Sequence, residues 1–219
     1  IVLISSDRGL AGAYNVNIVR EALIKAGEFD ADVSYITVGR RGRDMLIRRR
    51  RKVVGEFSNL SANPGYLEVA PIGHLVVDEY LNGKADQVYI AYTDYKNMLR
   101  QEPVLRKILP FSVAETTDSD SRYEAPIKSN FVFTYEPSQE EILHDLIPDL
   151  TSLQIYQSVL SALASEHAAR MVAMRNATTS AKDLVGLLEL EYNKARQAGI
   201  TNDMLDISGG AEALAQAAK

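Results

Sequence analysis

The sequence predicts an α/β protein: a mostly parallel sheet domain over residues 1–137, then a helical region over 138–219 whose long helix forms half of a coiled coil. Three observations predict it. Strand-like and helix-like patterns alternate through the first half, as a largely parallel, Rossmann-like sheet requires. The opening IVLIS is an unbroken apolar run, the mark of a strand covered on both faces. After Pro148 the remaining 71 residues contain no proline and are rich in Ala, Leu, Met, Glu, Lys and Gln, all good helix formers.

The elements follow in order. IVLIS (1–5) is the first strand. From Ala13 to Phe29, Val16, Val19, Leu23 and Ala26 fall on one helical stripe. DVSYITVG (32–39) and KVVGEF (52–57) are β-rich, and RRGRDMLIRRR between them reads as a short helix. NPGY (63–66) carries turn chemistry, 67–83 a further helix, and DQVYIAYTDY (86–95) a strong strand. LRKILPFSV (105–113) and SNFVFTYEP (129–137) read as late strands, enclosing a polar and mobile segment at 115–125.

From Ser138 the pattern changes. SQEE is a capping box, with Ser138 as N-cap and Glu141 three residues on. Pro148 is expected to kink or break the first helix. A single helix from Asp149 to Ala217 would be ~100 Å long at ~1.5 Å per residue, so most of it must extend beyond a small domain. Spacings of three and four pick out Leu153, Leu160, Ala164, Met171, Met174, Ala181, Val185, Leu188, Tyr192 and Ala195, interrupted by Gln157, His167 and Thr178. Nothing else in the chain is long enough to cover that stripe. Its partner is a segment outside these residues or another subunit. The start on a buried strand without Met makes an upstream helix the simpler expectation.

Composition narrows the chemistry. With 219 residues and a formal charge of −5, the chain suits one α/β domain plus an extension. It has no cysteine, which removes disulfides and thiolate metal sites. His74, His144 and His167 are not spaced as a metal pair. No apolar run approaches the ~20 residues of a membrane span.

Two motifs invite a binding reading. SDRGLAGAYN places Gly9 and Gly12 between a strand and a helix, where many proteins cradle phosphate. It lacks the Gly-Lys-Ser/Thr of a P-loop and the full G-x-G-x-x-G of a dinucleotide site. A tight corner is therefore the better reading, with Asp7 as a capping residue. Asp7 and Arg8 have no His, Cys or second acid beside them to suggest a reaction. Arg40, Arg41, Arg43, Arg48, Arg49, Arg50, Arg51 and Lys52 form a basic cluster that could bind a phosphate backbone. No aromatics interleave to stack bases, and residues 48–51 fall at a helix C-terminus, where the dipole favours cations. A solvated or subunit-facing patch fits better.

SDRGLAGAYN, TYEPSQEEIL, SEHAARMVAM, EYNKARQAGIT and GGAEAL, in that order, resemble the gamma subunits of F-type ATP synthases over essentially the whole chain. The resemblance implies a non-catalytic rotor of the central stalk, one copy per complex, without cofactor or metal. Its C-terminal helix pairs with an N-terminal one as an antiparallel coiled coil inside the ring of alpha and beta subunits. Its α/β domain forms a foot on the c-ring and contacts the epsilon subunit. The implied location is the cytoplasmic face of a bacterial membrane, or the equivalent organellar face, peripherally and without a span. No nucleic acid is implied.

The resemblance also implies partner contacts. ARQAGIT matches the segment that touches the beta subunit's catch region, which implicates Arg196, Gln197 and Thr201. The family's closing I-T-x-E reads Ile200-Thr201-Asn202-Asp203 here, with Asp203 one methylene shorter than the usual Glu. YEP (135–137) matches the end of the foot, where Tyr135 and Glu136 would face the c-ring loops. Ala11 stands where many relatives carry Cys, so thiol regulation is not expected. Two rival classes are a nucleotide-binding α/β protein with a helical tail and a nucleic-acid binder using the arginine cluster.

Overall fold

The computed structural model describes residues 1–111 and 139–217, with side chains over 1–111 and 146–214. The elements are β1 (Val2–Ile4), α1 (Tyr14–Glu28), β2 (Ser34–Val38), α2 (Arg40–Arg48), β3 (Lys52–Phe57), α3 (Tyr66–Leu81), β4 (Val88–Tyr95), β5 (Gln101–Leu109) and α4 (Gln139–Ala217). The expected strand at 129–137, the segment 115–125, the boundary at 137/138, and Ser138 with the Glu141 side chain of the capping box lie outside the described residues.

Among the described residues, five strands run in the order β3-β2-β1-β4-β5. The first four are parallel, and β5 pairs antiparallel with β4. The side-chain alternation of a strand sorts the sheet into two faces. Leu3, Tyr35 and Ala91 pack with Ile18, Val19 and Ala22 of α1 and Leu46 of α2. Val2, Ile4, Ile36, Val38, Ile90 and Tyr92 pack with Val69, Ile72 and Val76 of α3 and Ile155, Val159 and Ala162 of α4. Both faces are covered, which is why β1 reads as continuously apolar.

Three expectations need correction. The buried face of α1 runs through Tyr14, Ile18, Val19, Ala22 and Ala26, and Val16 is exposed. Two residues along a helix turn it by slightly more than half a turn, so with Tyr14 and Ile18 facing the core Val16 points away from it. The strand expected at 105–113 begins earlier, at Gln101, because a tight turn at residues 97–100 folds it straight back on β4. Its Pro103 is tolerated because, among the described residues, no strand pairs with β5 on the side away from β4. Of the kink or break expected at Pro148, the break does not occur, since α4 runs on through it. One lost N–H is offset by the anchoring just beyond it, where Thr151, Ser152 and Ile155 are fully buried.

Compact units divide at Val172: Ile1–Val172, and Ala173–Lys219. In the first unit, α4 is built into the sheet's core as deeply as any strand, since Ile155, Val159 and Ala162 are buried. Fully burying such a side chain is worth roughly 1.5–3 kcal/mol.

Candidate interaction surfaces

The glycine-rich turn after β1 is occupied by its own chain. The Asp7 carboxylate accepts the Arg40 N–H at 3.0 Å and the Asn59 N–H at 2.9 Å, so it caps α2 and ties down the loop after β3. Asp7 is thus a cap, but of α2 and not of the helix that follows it. Asn15 Oδ1 accepts the Ser6 N–H at 3.0 Å, and the Ser6 hydroxyl donates to the Arg8 carbonyl at 2.6 Å. A Cβ on Gly9 would lie 3.1 Å from the Arg41 guanidinium, and Gly12 sits at φ 57°. Between this turn and α4 there is a cavity of only about 40 Å³. The Asp7 carboxylate beside the turn would also repel a phosphate.

The larger cavity, about 520 Å³, opens at the opposite end of the strands, with Ile1, Phe29, Ser34 and Tyr89 in its wall. Glu28, Asp30, Asp32, Glu79 and Asp86 also line it, a field that repels phosphate. Among the described residues, no group of three or more His, Cys, Asp or Glu is set to hold a metal. His74 and His167 are exposed, and the His144 side chain is outside the described residues.

Helix α4 carries two different faces within the first unit. The inward one is studded with serines. Ser161 Oγ donates to Asp94 Oδ1 at 3.0 Å and accepts the Tyr95 N–H at 3.1 Å, while Ser165 Oγ donates to the Thr93 carbonyl at 3.0 Å. Burial opposes ionisation of Asp94, yet hydrogen bonds from Lys96 and Ser161 hold its carboxyl below the usual range. Tyr14 Oη donates to the Ala162 carbonyl at 3.0 Å, and Glu166 is buried in an ion pair with Arg170. Sequence reading passed over this stitching. Its available signal was the row of small polar residues Ser158, Ser161 and Ser165 at helical spacing.

The outward face is the predicted stripe: Leu153, Leu160 and Met171 are exposed. In the second unit, exposure is general. Val185, Leu188 and Tyr192 continue the stripe at 53%, 55% and 67% exposure, but Leu184, Leu187 and Leu190, off it, are equally open. At about 100° per residue these six positions span an arc of roughly 220°, far wider than the seam of a two-helix coiled coil. An apolar arc that wide is one that partners bury from more than one side.

A family model described as ATP synthase matches residues 1–214. An ATP synthase gamma chain of Dehalococcoides mccartyi (strain CBDB1) is 42% identical over 215 residues, covering 98% of this chain and 72% of the relative. The ATP synthase gamma chain of Roseiflexus sp. (strain RS-1) is 40% identical over 219 residues, covering 99% and 72%. The chain belongs to the ATP synthase gamma-chain family. Solved structures agree on the fold. A chain of the Tetrahymena thermophila mitochondrial ATP synthase central stalk and c-ring matches with TM-score 0.62 and 25% identity over 81% of this chain and 75% of that one. A chain of the Euglena gracilis mitochondrial ATP synthase (OSCP/F1/c-ring, rotational state 3) matches with TM-score 0.74 and 21% identity over 100% and 73%.

In this gamma-chain family member, Arg196, Gln197, Thr201 and Asp203 all lie in the second unit and all are exposed. Helical spacing puts Arg196 and Asp203 on one face two turns apart, and Gln197 and Thr201 on a neighbouring one. The Thr201 hydroxyl bonds back to the Gln197 carbonyl at 2.9 Å, so its donor is already engaged. Tyr135 and Glu136 lie outside the described residues. No helix among the described residues is long and apolar enough to cross a membrane.

Proposed function

We propose that this chain is the non-catalytic central-stalk rotor of an F-type ATP synthase, passing torque between a proton-driven c-ring and a catalytic ring of alpha and beta subunits. The surface of residues 173–214 carries this reading. Its exposed apolar arc, wider than one helix can cover, calls for burial both by a paired helix and by a surrounding sleeve. The sheet domain of residues 1–137 serves as the foot, with Tyr135 and Glu136 toward the c-ring and the epsilon subunit alongside. The helical region from 138 onward serves as the shaft, with Arg196, Gln197, Thr201 and Asp203 reaching the beta subunit's catch. Torque transfer requires stiffness and asymmetry, and no nucleotide, metal or cofactor. Proton-coupled ATP synthesis then belongs to the assembly, which the chain joins as a single copy held peripherally at the membrane. Size-exclusion chromatography with light scattering, on this chain mixed with alpha and beta subunits, tests it. One copy is expected to elute with each ring. A chain that elutes alone, or whose melting temperature rises with nucleotide, would overturn the reading.

A further inference from the structure

Residues 47–52 form a corner between α2 and β3 in which Arg48, Arg49, Arg50, Arg51 and Lys52 are all exposed. Elsewhere Lys25, Arg43, Lys84, Lys96, Arg100 and Arg170 each meet a carboxylate. Among the described residues, none of these five does. The α2 dipole accounts for Arg48 and for Arg49, which donates to the Met45 carbonyl at 3.2 Å. It does not account for the three cations beyond the helix end.

Arg50 adds a second, independent observation. Its φ is 55°, the left-handed conformation that follows many helices and that glycine adopts without a steric penalty. Here an arginine bears that strain while its side chain touches no acid among the described residues. Beside the cations, Ile47 is 56% exposed, an apolar side chain at the tip of the corner.

We propose that this corner, independently of the rotor reading, docks on an anionic phospholipid surface, the cations meeting headgroup phosphates and Ile47 entering the interfacial layer. The exposed cations suit a laterally diffuse array of headgroup charge, and the cluster has no aromatic side chains on which bases could stack. The chain's net charge of −5 makes the attachment oriented, since an anionic surface repels the rest of the molecule.

Co-sedimentation with phosphatidylcholine vesicles, with and without phosphatidylglycerol, tests the proposal. Binding is expected only where phosphatidylglycerol is present, and it should fall steeply with salt. The Arg48→Gln/Arg49→Gln/Arg51→Gln triple variant should lose on the order of 100-fold in partitioning, at roughly fivefold per charge. Arg50→Gly keeps the test independent of folding: it should weaken binding about fivefold while the melting temperature holds or rises, because glycine relieves the backbone. Arg20→Gln, on the exposed side of α1, should leave binding unchanged. Equal binding to neutral vesicles, binding indifferent to the arginine variants, or tighter binding to a DNA duplex of matched charge would each overturn it.

Discussion

Gly73 of α3 and Ser152 of α4 meet so closely that a Cβ on Gly73 would lie 2.1 Å from the Ser152 hydroxyl oxygen and 2.8 Å from its Cα. The second distance is to backbone, so no rotamer change makes room. Gly73→Ala should therefore destabilise the chain by about 2–3 kcal/mol, by prising α3 from α4. Ser152→Ala should cost less than ~1 kcal/mol, because that buried hydroxyl has no hydrogen-bond partner among the described residues. Urea denaturation midpoints at constant slope distinguish the two, and a Gly73→Ala variant as stable as the parent would refute the contact.

Alkaline pH should unfold the protein through its buried tyrosines. Burial pushes the Tyr14 phenol well above its ordinary value, with the nearby Glu166 charge adding to the effect. Burial likewise raises Tyr35 and Tyr92, partly offset by Arg51 and Arg106. Below pH ~10 the phenols are neutral in both folded and unfolded chains, and stability is full. Above it the unfolded chain releases its protons first, so stability declines as pH rises. Tyr14→Phe should cost ~1 kcal/mol at neutral pH through the lost bond to Ala162. It should also remove up to ~1.4 kcal/mol per pH unit from the alkaline slope. An unchanged slope would exclude Tyr14 as a contributor.

On the shaft, Arg196→Leu with Gln197→Leu should lower turnover of the assembled complex roughly tenfold, the equivalent of ~1.4 kcal/mol and about one charge-assisted hydrogen bond. Both side chains are exposed in the second unit, so the melting temperature of the chain alone should not move. Parental rates of ATP hydrolysis and synthesis in a fully assembled double variant would rule out the catch contact.

At the foot, Glu136→Lys should weaken the coupling of proton flow to ATP synthesis and spare hydrolysis by the detached soluble complex. Reversing a charge at a docking surface turns an attraction into a repulsion without touching the catalytic ring. Proton pumping by reconstituted vesicles, compared with their ATP consumption, gives the answer. A ratio equal to the parent's would remove Glu136 from the contact.

Period and composition carried most of the fold. The runs at 1–5, 32–39 and 86–95 were visible because a doubly covered strand has no polar face to disguise it, and 52–57 showed through its β-rich residues although alternate side chains there are exposed. The exposed stripe at Leu153, Leu160 and Met171 was equally plain, since a heptad reports a partner whether or not the partner is in view. The start of β5 was hidden because Glu102, Pro103 and Arg106 look nothing like a buried strand, and residues 101–107 are only partly buried. The inward face of α4 was hidden for another reason. Serine is a poor signal of burial, yet Ser161 and Ser165 are useful there because they are small and satisfy the backbone at the end of β4. Asp7 was legible as a cap but not as the cap of a helix some thirty residues away, a pairing that only the parallel sheet creates.

The burial of Ile155, Val159 and Ala162 in the sheet's own core has a mechanical consequence. Over these turns α4 has no swivel and no sliding seat; it is splined into the domain, with Gly73 as the slot and the serine bonds as keys. A twisting load applied to this stretch must shear the same contacts that resist unfolding. Its torsional yield point and its thermal stability are therefore one property, and a substitution that softens either softens both.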